Sequence, residues 1–254
     1  MKILIFGDSH SVYFNLTPEL KDMNESFRGI QTKVVTIPGA TINGFGKRES
    51  TLDVRKLFFD EFNSFNPGFV CFALGQVDIE LGLYYRKVVK GDETDNKPYI
   101  DDLCDKYLST IMEIANDLDI HLSKICIKGI NLSVLTKSRK KAITYTTRII
   151  TENIKEPTDV ARYKDILNKV YPSNLERYSN HMYFNSVVKK LAVGKFSYFD
   201  INDLLEDPSV KGEVSPMYIP AESDHHILDS LFLRKVHLDR ILYHLNHSSP
   251  TPAV

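Results

Sequence analysis

The sequence predicts an α/β fold, a three-layer sandwich with a mostly parallel central sheet and helices on both faces. Short apolar runs of strand length recur along the chain. Longer segments with helical spacing separate them, and this alternation implies parallel strands joined by crossover helices. The first three runs are also followed within two residues by glycine, where a chain turns out of a sheet.

The first strand is Lys2 to Phe6, KILIF, stopped by Gly7. The second is Lys33 to Ile37, the third Phe69 to Leu74, the fourth Leu122 to Ile127, and the fifth a short run from Phe196 to Phe199. Near-continuous apolar runs suit strands buried on both faces. Helical segments are expected at Thr51 to Phe62, Ile100 to Leu118, Leu175 to Val193 and Ile227 to Leu245. The polar stretch Asn131 to Pro172 breaks the alternation and carries a basic cluster, Lys137, Arg139, Lys140 and Lys141. It reads as a solvated insertion first, and as a lid or partner-binding surface second. The ending HSSPTPAV, from about His247, reads as a disordered tail.

A chain of 254 residues accommodates one large domain with a sizeable core, and we read residues 1–254 as a single domain. With 32 basic and 33 acidic residues the formal net charge is −1, so nothing predicts broad attraction to nucleic acid or to a membrane surface. No apolar run reaches membrane-spanning length, and the N-terminal run lacks the pattern of a signal peptide. Cys71, Cys104 and Cys126 are scattered and odd in number, which argues against a disulfide framework. These features together predict a cytoplasmic protein. No Cys/His spacing predicts a zinc site, and no cofactor motif is present; a single glycine after the first strand excludes the dinucleotide fingerprint.

In parallel sheets ligands bind beyond the carboxyl ends of the strands, so the turns there are the informative places. The first reads GDSH, and Ser9 sits just past the strand, either as a helix cap or as a hydroxyl facing the cleft. The second reads PGATINGFG, where Gly39 lets the backbone approach a ligand and present an N–H. The third reads LGQVDIELG, placing Gln76 and Asp78 at the same edge; Tyr84, Tyr85 and Arg86 follow as pocket walls or, more ordinarily, core packing. Near the end comes PAESDHHILD, with adjacent His225 and His226 between Asp224 and an amphipathic segment.

This ordered set resembles the SGNH/GDSL hydrolase superfamily, and PGATINGFG and LGQVD resemble a branch found among polysaccharide-biosynthesis and glycan-modification proteins. The resemblance spans Gly7 to His226 and implies a flavodoxin-like sandwich and a serine-dependent esterase. It implies that Ser9 attacks an ester carbonyl, that a histidine takes its proton, and that an acid orients the histidine. An O-acyl group, such as acetyl, on a carbohydrate is the implied substrate, and no metal or cofactor is implied.

Two positions depart from the pattern. The asparagine that donates to the oxyanion in the family is replaced by Val77, which leaves Gln76 as a substitute beside the N–H groups of Ser9 and Gly39. The residue three before His226 is Ser223, so the working pair is either Glu222 with His225 or Asp224 with His226. The resemblance favours Asp224 and His226, because the base in the family is commonly followed by an apolar or proline residue that starts a helix, as Ile227 is expected to do. The departures keep two alternatives open: an O-acyltransferase with the same serine chemistry, and a non-catalytic glycan-binding protein on the same fold.

Overall fold

A computed structural model describes residues 1–135, 138–222 and 224–247. The strands are β1 (Lys2–Gly7), β2 (Gln31–Thr36), β3 (Phe69–Ala73), β4 (Ile125–Lys128) and β5 (Ser197–Phe199). They form one sheet in the order β2-β1-β3-β4-β5, and every pairing is parallel. This is the flavodoxin-like strand order, which reverses direction of winding at β1 and β3.

The helices are α1 (Pro18–Met23), α2 (Ile42–Phe45), α3 (Val54–Phe65), α4 (Asn96–Asp117), α5 (Arg139–Ile150), α6 (Pro157–Val170), α7 (Asn174–Ala192), α8 (Asn202–Leu205) and α9 (Leu231–His247). Side chains of a strand point alternately to its two faces, and this divides the core in two. Leu4, Phe6, Val70, Phe72, Ile125 and Ile127 pack against α2, α3, α4 and α7. Ile3, Ile5, Cys71, Ala73, Cys126 and Phe199 pack on the other face against α1, α8 and α9. Cys71 and Cys126 are register partners in neighbouring strands, buried and free.

The expected helices form with shifted ends, each for a local reason. The segment expected from Thr51 begins at Val54, whose N–H donates to the Ser50 hydroxyl at 3.3 Å, and runs on to a left-handed stop at Asn66 (φ 48°). The segment expected from Ile100 begins earlier, at Asn96, since Pro98 is compatible with a first helical turn. The segment expected from Ile227 begins at Leu231, because the Ser230 hydroxyl accepts the Leu233 N–H at 3.2 Å and caps the helix there. Ile227 is therefore buried loop, not helix start. The fourth run forms strand only from Ile125, after a tight turn at Leu122–Lys124.

The stretch Asn131 to Pro172 holds α5 and α6. They share a small third core with Tyr84 and with Val88, which lies on the second of two widely wound helical turns, Asp78–Gly82 and Tyr85–Val89. Arg139 is tied into this unit by bonds to the carbonyls of Tyr171 (2.5 Å) and Asn168 (3.0 Å). Lys137 and the tail 248–254 lie outside the described residues.

Candidate active site

The GDS turn has a steric basis. A Cβ at Gly7 would collide with the Ala73 carbonyl oxygen, so only glycine lets β1 and β3 end side by side. The Asp8 N–H then donates to that carbonyl at 3.2 Å. The Asp8 carboxylate accepts the His10 N–H at 2.9 Å and caps a single tight helical segment, Ser9–Phe14. Capping is thus done by Asp8, and the Ser9 hydroxyl is left to face the cleft.

The Ser9 Oγ lies 2.8 Å from His226 Nε2, and His226 Nδ1 lies 2.9 Å from Asp224 Oδ1. The loop that carries these groups is fastened to the first turn. The Tyr13 hydroxyl donates to the Ile227 carbonyl at 2.9 Å, next to His226. The Asp224 Oδ1 also accepts the His225 N–H at 2.5 Å and the Tyr145 hydroxyl at 3.1 Å. Burial opposes the Asp224 charge, but the bonded His226 ring and the His225 N–H outweigh it and hold its pKa below the ordinary carboxylate value. His226 is itself held below its ordinary 6.5, first by burial and then by the neighbouring His10, against the pull of Asp224.

His225 does not reach Ser9. It is buried, and burial followed by the two neighbouring imidazoles pushes its pKa well down. Glu222 is exposed on the surface of the loop. Of the two pairs left open by the sequence, the structure brings Asp224 and His226 to Ser9.

Gln76 departs from its expected place. Its Nε2 donates to Glu80 Oε2 and to the Asn131 carbonyl, both at 3.1 Å, and its Oε1 accepts the Asn131 N–H at 2.7 Å. Both amide protons are therefore occupied in a buried network that continues through Glu80 to Ser133, Arg177 and His181. The assignment of Gln76 as an oxyanion donor is corrected on this ground. The N–H groups of Ser9 and Gly39 remain, and among the described residues neither has an acceptor. Gly39 adopts φ 75°, the left-handed region that glycine tolerates, in an exposed turn. That turn is held by Asp78, whose Oδ2 accepts the Ile42 N–H at 2.9 Å. Burial, reinforced by nearby Asp8, raises the Asp78 pKa from 3.8 to about 7.

Of the three residues expected as pocket walls, only Tyr85 lines a pocket at the Gly39 turn, with Thr41 and Asn43. Tyr84 is buried against Tyr171, ring centroids 4.9 Å apart. Arg86 is buried too, donating to the Thr94 carbonyl at 2.7 Å and pairing with Asp92 at 3.1 Å.

Two site residues escaped the sequence reading. His10 stacks on the His226 ring, with centroids 4.3 Å apart and planes 22° from parallel, and its Nδ1 faces both Asp8 (3.2 Å) and Ser9 Oγ (3.5 Å). The GDSH motif contains it, but only the tight turn puts the ring there. Tyr145 lies 79 residues from Asp224, a contact that local spacing cannot foretell.

Nitrogens of His10, His225 and His226 lie within 4.8 Å of one another. Both His226 nitrogens face Ser9 and Asp224, and both His10 nitrogens face Asp8, Ser9 or the His225 carbonyl. Among the described residues, only the His225 ring of these three is left without hydrogen-bond partners, its Nδ1 buried, so the cluster does not converge as three open metal ligands.

No protein-family model matches the sequence, and neither does any curated protein. Among solved structures, the chain is similar to an acetyl xylan esterase at 15% identity and TM-score 0.51, covering 96% of this chain and 98% of that one. It is also similar to a carbohydrate acetylesterase family member from Sinorhizobium meliloti, at 11% identity and TM-score 0.50, covering 96% and 99% of the two chains. The structural neighbours are SGNH/GDSL esterases, and this chain has their fold. Among the described residues, no helix is long and apolar enough to cross a membrane.

Proposed function

We propose that the protein is a serine-dependent esterase that removes an O-acyl group, acetyl in the first instance, from a carbohydrate. The observation that carries this reading is the continuous relay from Ser9 Oγ through both nitrogens of His226 to Asp224. Similarity of fold to carbohydrate acetylesterases supports the substrate class.

In this mechanism the Ser9 oxygen attacks the ester carbonyl while His226 Nε2 takes the hydroxyl proton. Asp224 holds the Nδ1 proton in place and stabilises the imidazolium. The oxyanion sits against the Ser9 and Gly39 N–H groups; Val77 offers no side-chain donor, and its N–H is turned to Asp8 at 3.5 Å. His226 then gives its proton to the sugar hydroxyl as the ester C–O bond breaks. Water, deprotonated by the same ring, hydrolyses the acyl-serine and releases acetate. The His10 ring stacked on His226 restricts its rotation, so the base keeps its aim through both halves.

The helical stretch Asn131 to Pro172 enters this reading as a wall of the cleft, since Tyr145 on α5 binds Asp224 directly. That wall also favours a second reading, transfer of the acyl group to a sugar hydroxyl with water excluded. Acetate release from an acetylated sugar, measured with and without an unacetylated acceptor, tests both. Hydrolysis requires acetate from the wild type and a loss of several orders of magnitude in Ser9→Ala. Acetate release that falls as acceptor is added supports transfer, and release undiminished in a folded Ser9→Ala refutes the serine mechanism.

A further inference from the structure

The basic cluster noted in the sequence separates into two kinds of residue. Arg139 is structural, its guanidinium bonded to carbonyls at the end of α6. Lys140, Lys141 and, two turns on, Arg148 are exposed and have no acidic partner among the described residues. Helical periodicity puts Lys141, Tyr145 and Arg148 in one stripe, while Ala142, Ile143, Thr146 and Ile150 turn into the third core.

That stripe is the wall of a groove of about 500 Å³, lined by Ser138, Lys140, Lys141, Thr144, Tyr145 and Arg148. Among the described residues no acid lines it, although the chain as a whole carries a net charge of −1. The groove adjoins Asp224, the acid of the Ser9–His226–Asp224 relay, in two ways. Ser138 and Lys141 also line a neighbouring pocket of about 480 Å³ that reaches Asp224. Tyr145 donates its hydroxyl to Asp224, the residue that orients His226.

We propose that this groove is a subsite for a carboxylate-bearing sugar, so that the substrate is an acylated acidic saccharide rather than a neutral one. The inference rests on the esterase reading for what is cleaved, but not for what binds. Charge sets the orientation. Lys140, Lys141 and Arg148 attract a uronate carboxylate at the outer end, while Glu222 and Asp224 repel it from the inner pocket. The acidic ring therefore lies outward, and its ester-bearing neighbour faces Ser9. The Ser138 and Thr144 hydroxyls offer further partners to sugar hydroxyls.

The test is calorimetric titration of trigalacturonate, which carries no ester, into the full chain with Ser9→Ala. Binding is expected to weaken roughly tenfold or more when Lys140→Ala and Lys141→Ala are added, and again with Arg148→Ala, as three exposed ion pairs are lost. It is also expected to weaken with added salt. The three positions are exposed and outside the core, and Lys141→Glu, checked by circular dichroism, supplies a second variant with a larger loss. Equal affinity for neutral xylotriose, affinity unchanged by these variants, or insensitivity to salt overturns the proposal. Coenzyme A, titrated in parallel, distinguishes phosphate from carboxylate: tighter binding than trigalacturonate overturns it too. Hydrolysis of p-nitrophenyl acetate by the unsubstituted protein reads the esterase mechanism separately, so the two can fail independently.

Discussion

Replacing Asp78 by asparagine is expected to stabilise the protein, by an amount that grows as pH rises from about 4 to about 7 and is constant above that. Asp78 is 2% exposed and accepts the Ile42 N–H, a bond that an asparagine oxygen can also accept. Burial raises its pKa from 3.8 to about 7, and the nearby Asp8 charge adds to the effect. The sign follows from where the proton sits. Below pH 4 both the folded and the unfolded chain hold it, and there is no penalty. Between pH 4 and pH 7 the unfolded carboxyl ionises while the folded one stays neutral, so stability falls as pH rises. Above pH 7 the penalty is complete. A difference of about three pKa units at about 1.36 kcal/mol each amounts to about 4 kcal/mol. Asp78→Asn removes this slope, so its advantage over the wild type should grow from near zero at pH 4 to a few kcal/mol at pH 8. Urea denaturation at pH 4, 6 and 8 measures it. A stability difference that is flat across these three pH values refutes the reasoning. Asp78→Leu separates charge from positioning: it also loses the acceptor for Ile42, frees the Gly39 turn, and should lower turnover where Asp78→Asn does not.

Three further outcomes are expected. His226→Ala should lower kcat/KM by about four orders of magnitude, whereas His225→Ala, which removes no group in contact with Ser9, should cost less than about tenfold; steady-state ester hydrolysis separates the two, and the reverse ranking would move the base to His225. Gln76→Ala should lower stability by about 1–3 kcal/mol, since it strands the buried Asn131 N–H and takes a donor from the Asn131 carbonyl, with little change in turnover per folded molecule; a hundredfold loss of kcat in stable protein would return Gln76 to the oxyanion. The acid limb of kcat/KM should lie below pH 6.5, because His226 must be unprotonated to act and burial, with His10, holds its pKa under that value despite Asp224; a limb above 6.5 contradicts this balance.

Much of the fold was legible because its strands are buried on both faces. After Lys2, KILIF is apolar at every position, as is FVCFAL, for that reason, and no exposed face dilutes the signal. The helix ends were less legible, since Ser230 and Ser50 act through side-chain bonds that compete with neighbouring polar residues as caps. The wide helical turns from Asp78 to Val89 left no periodic trace. They are held by tertiary contacts, among them Arg86 with Asp92 and the third core. At the site, Ser9 and Gly39 could be read from their turns, because glycine and strand ends restrict what such turns can be. The direction of the Gln76 side chain could not, since one residue past a strand either face is open. Its buried partners, Asn131 and Glu80, come from the next loop and the following turn. The choice between His225 and His226 rested on Ile227 as a helix start, which it is not. The side chain that fixes the loop is Tyr13, which binds the Ile227 carbonyl across 214 residues of sequence.

The central claim is that His226 and Asp224 activate the Ser9 hydroxyl as a nucleophile. The most direct measurement is treatment of the folded protein with a fluorophosphonate, followed by peptide mass spectrometry. The account predicts one adduct, on Ser9, whose rate of formation collapses in His226→Ala while the fold persists. An intact protein that forms no adduct, or forms it elsewhere than Ser9, contradicts the account.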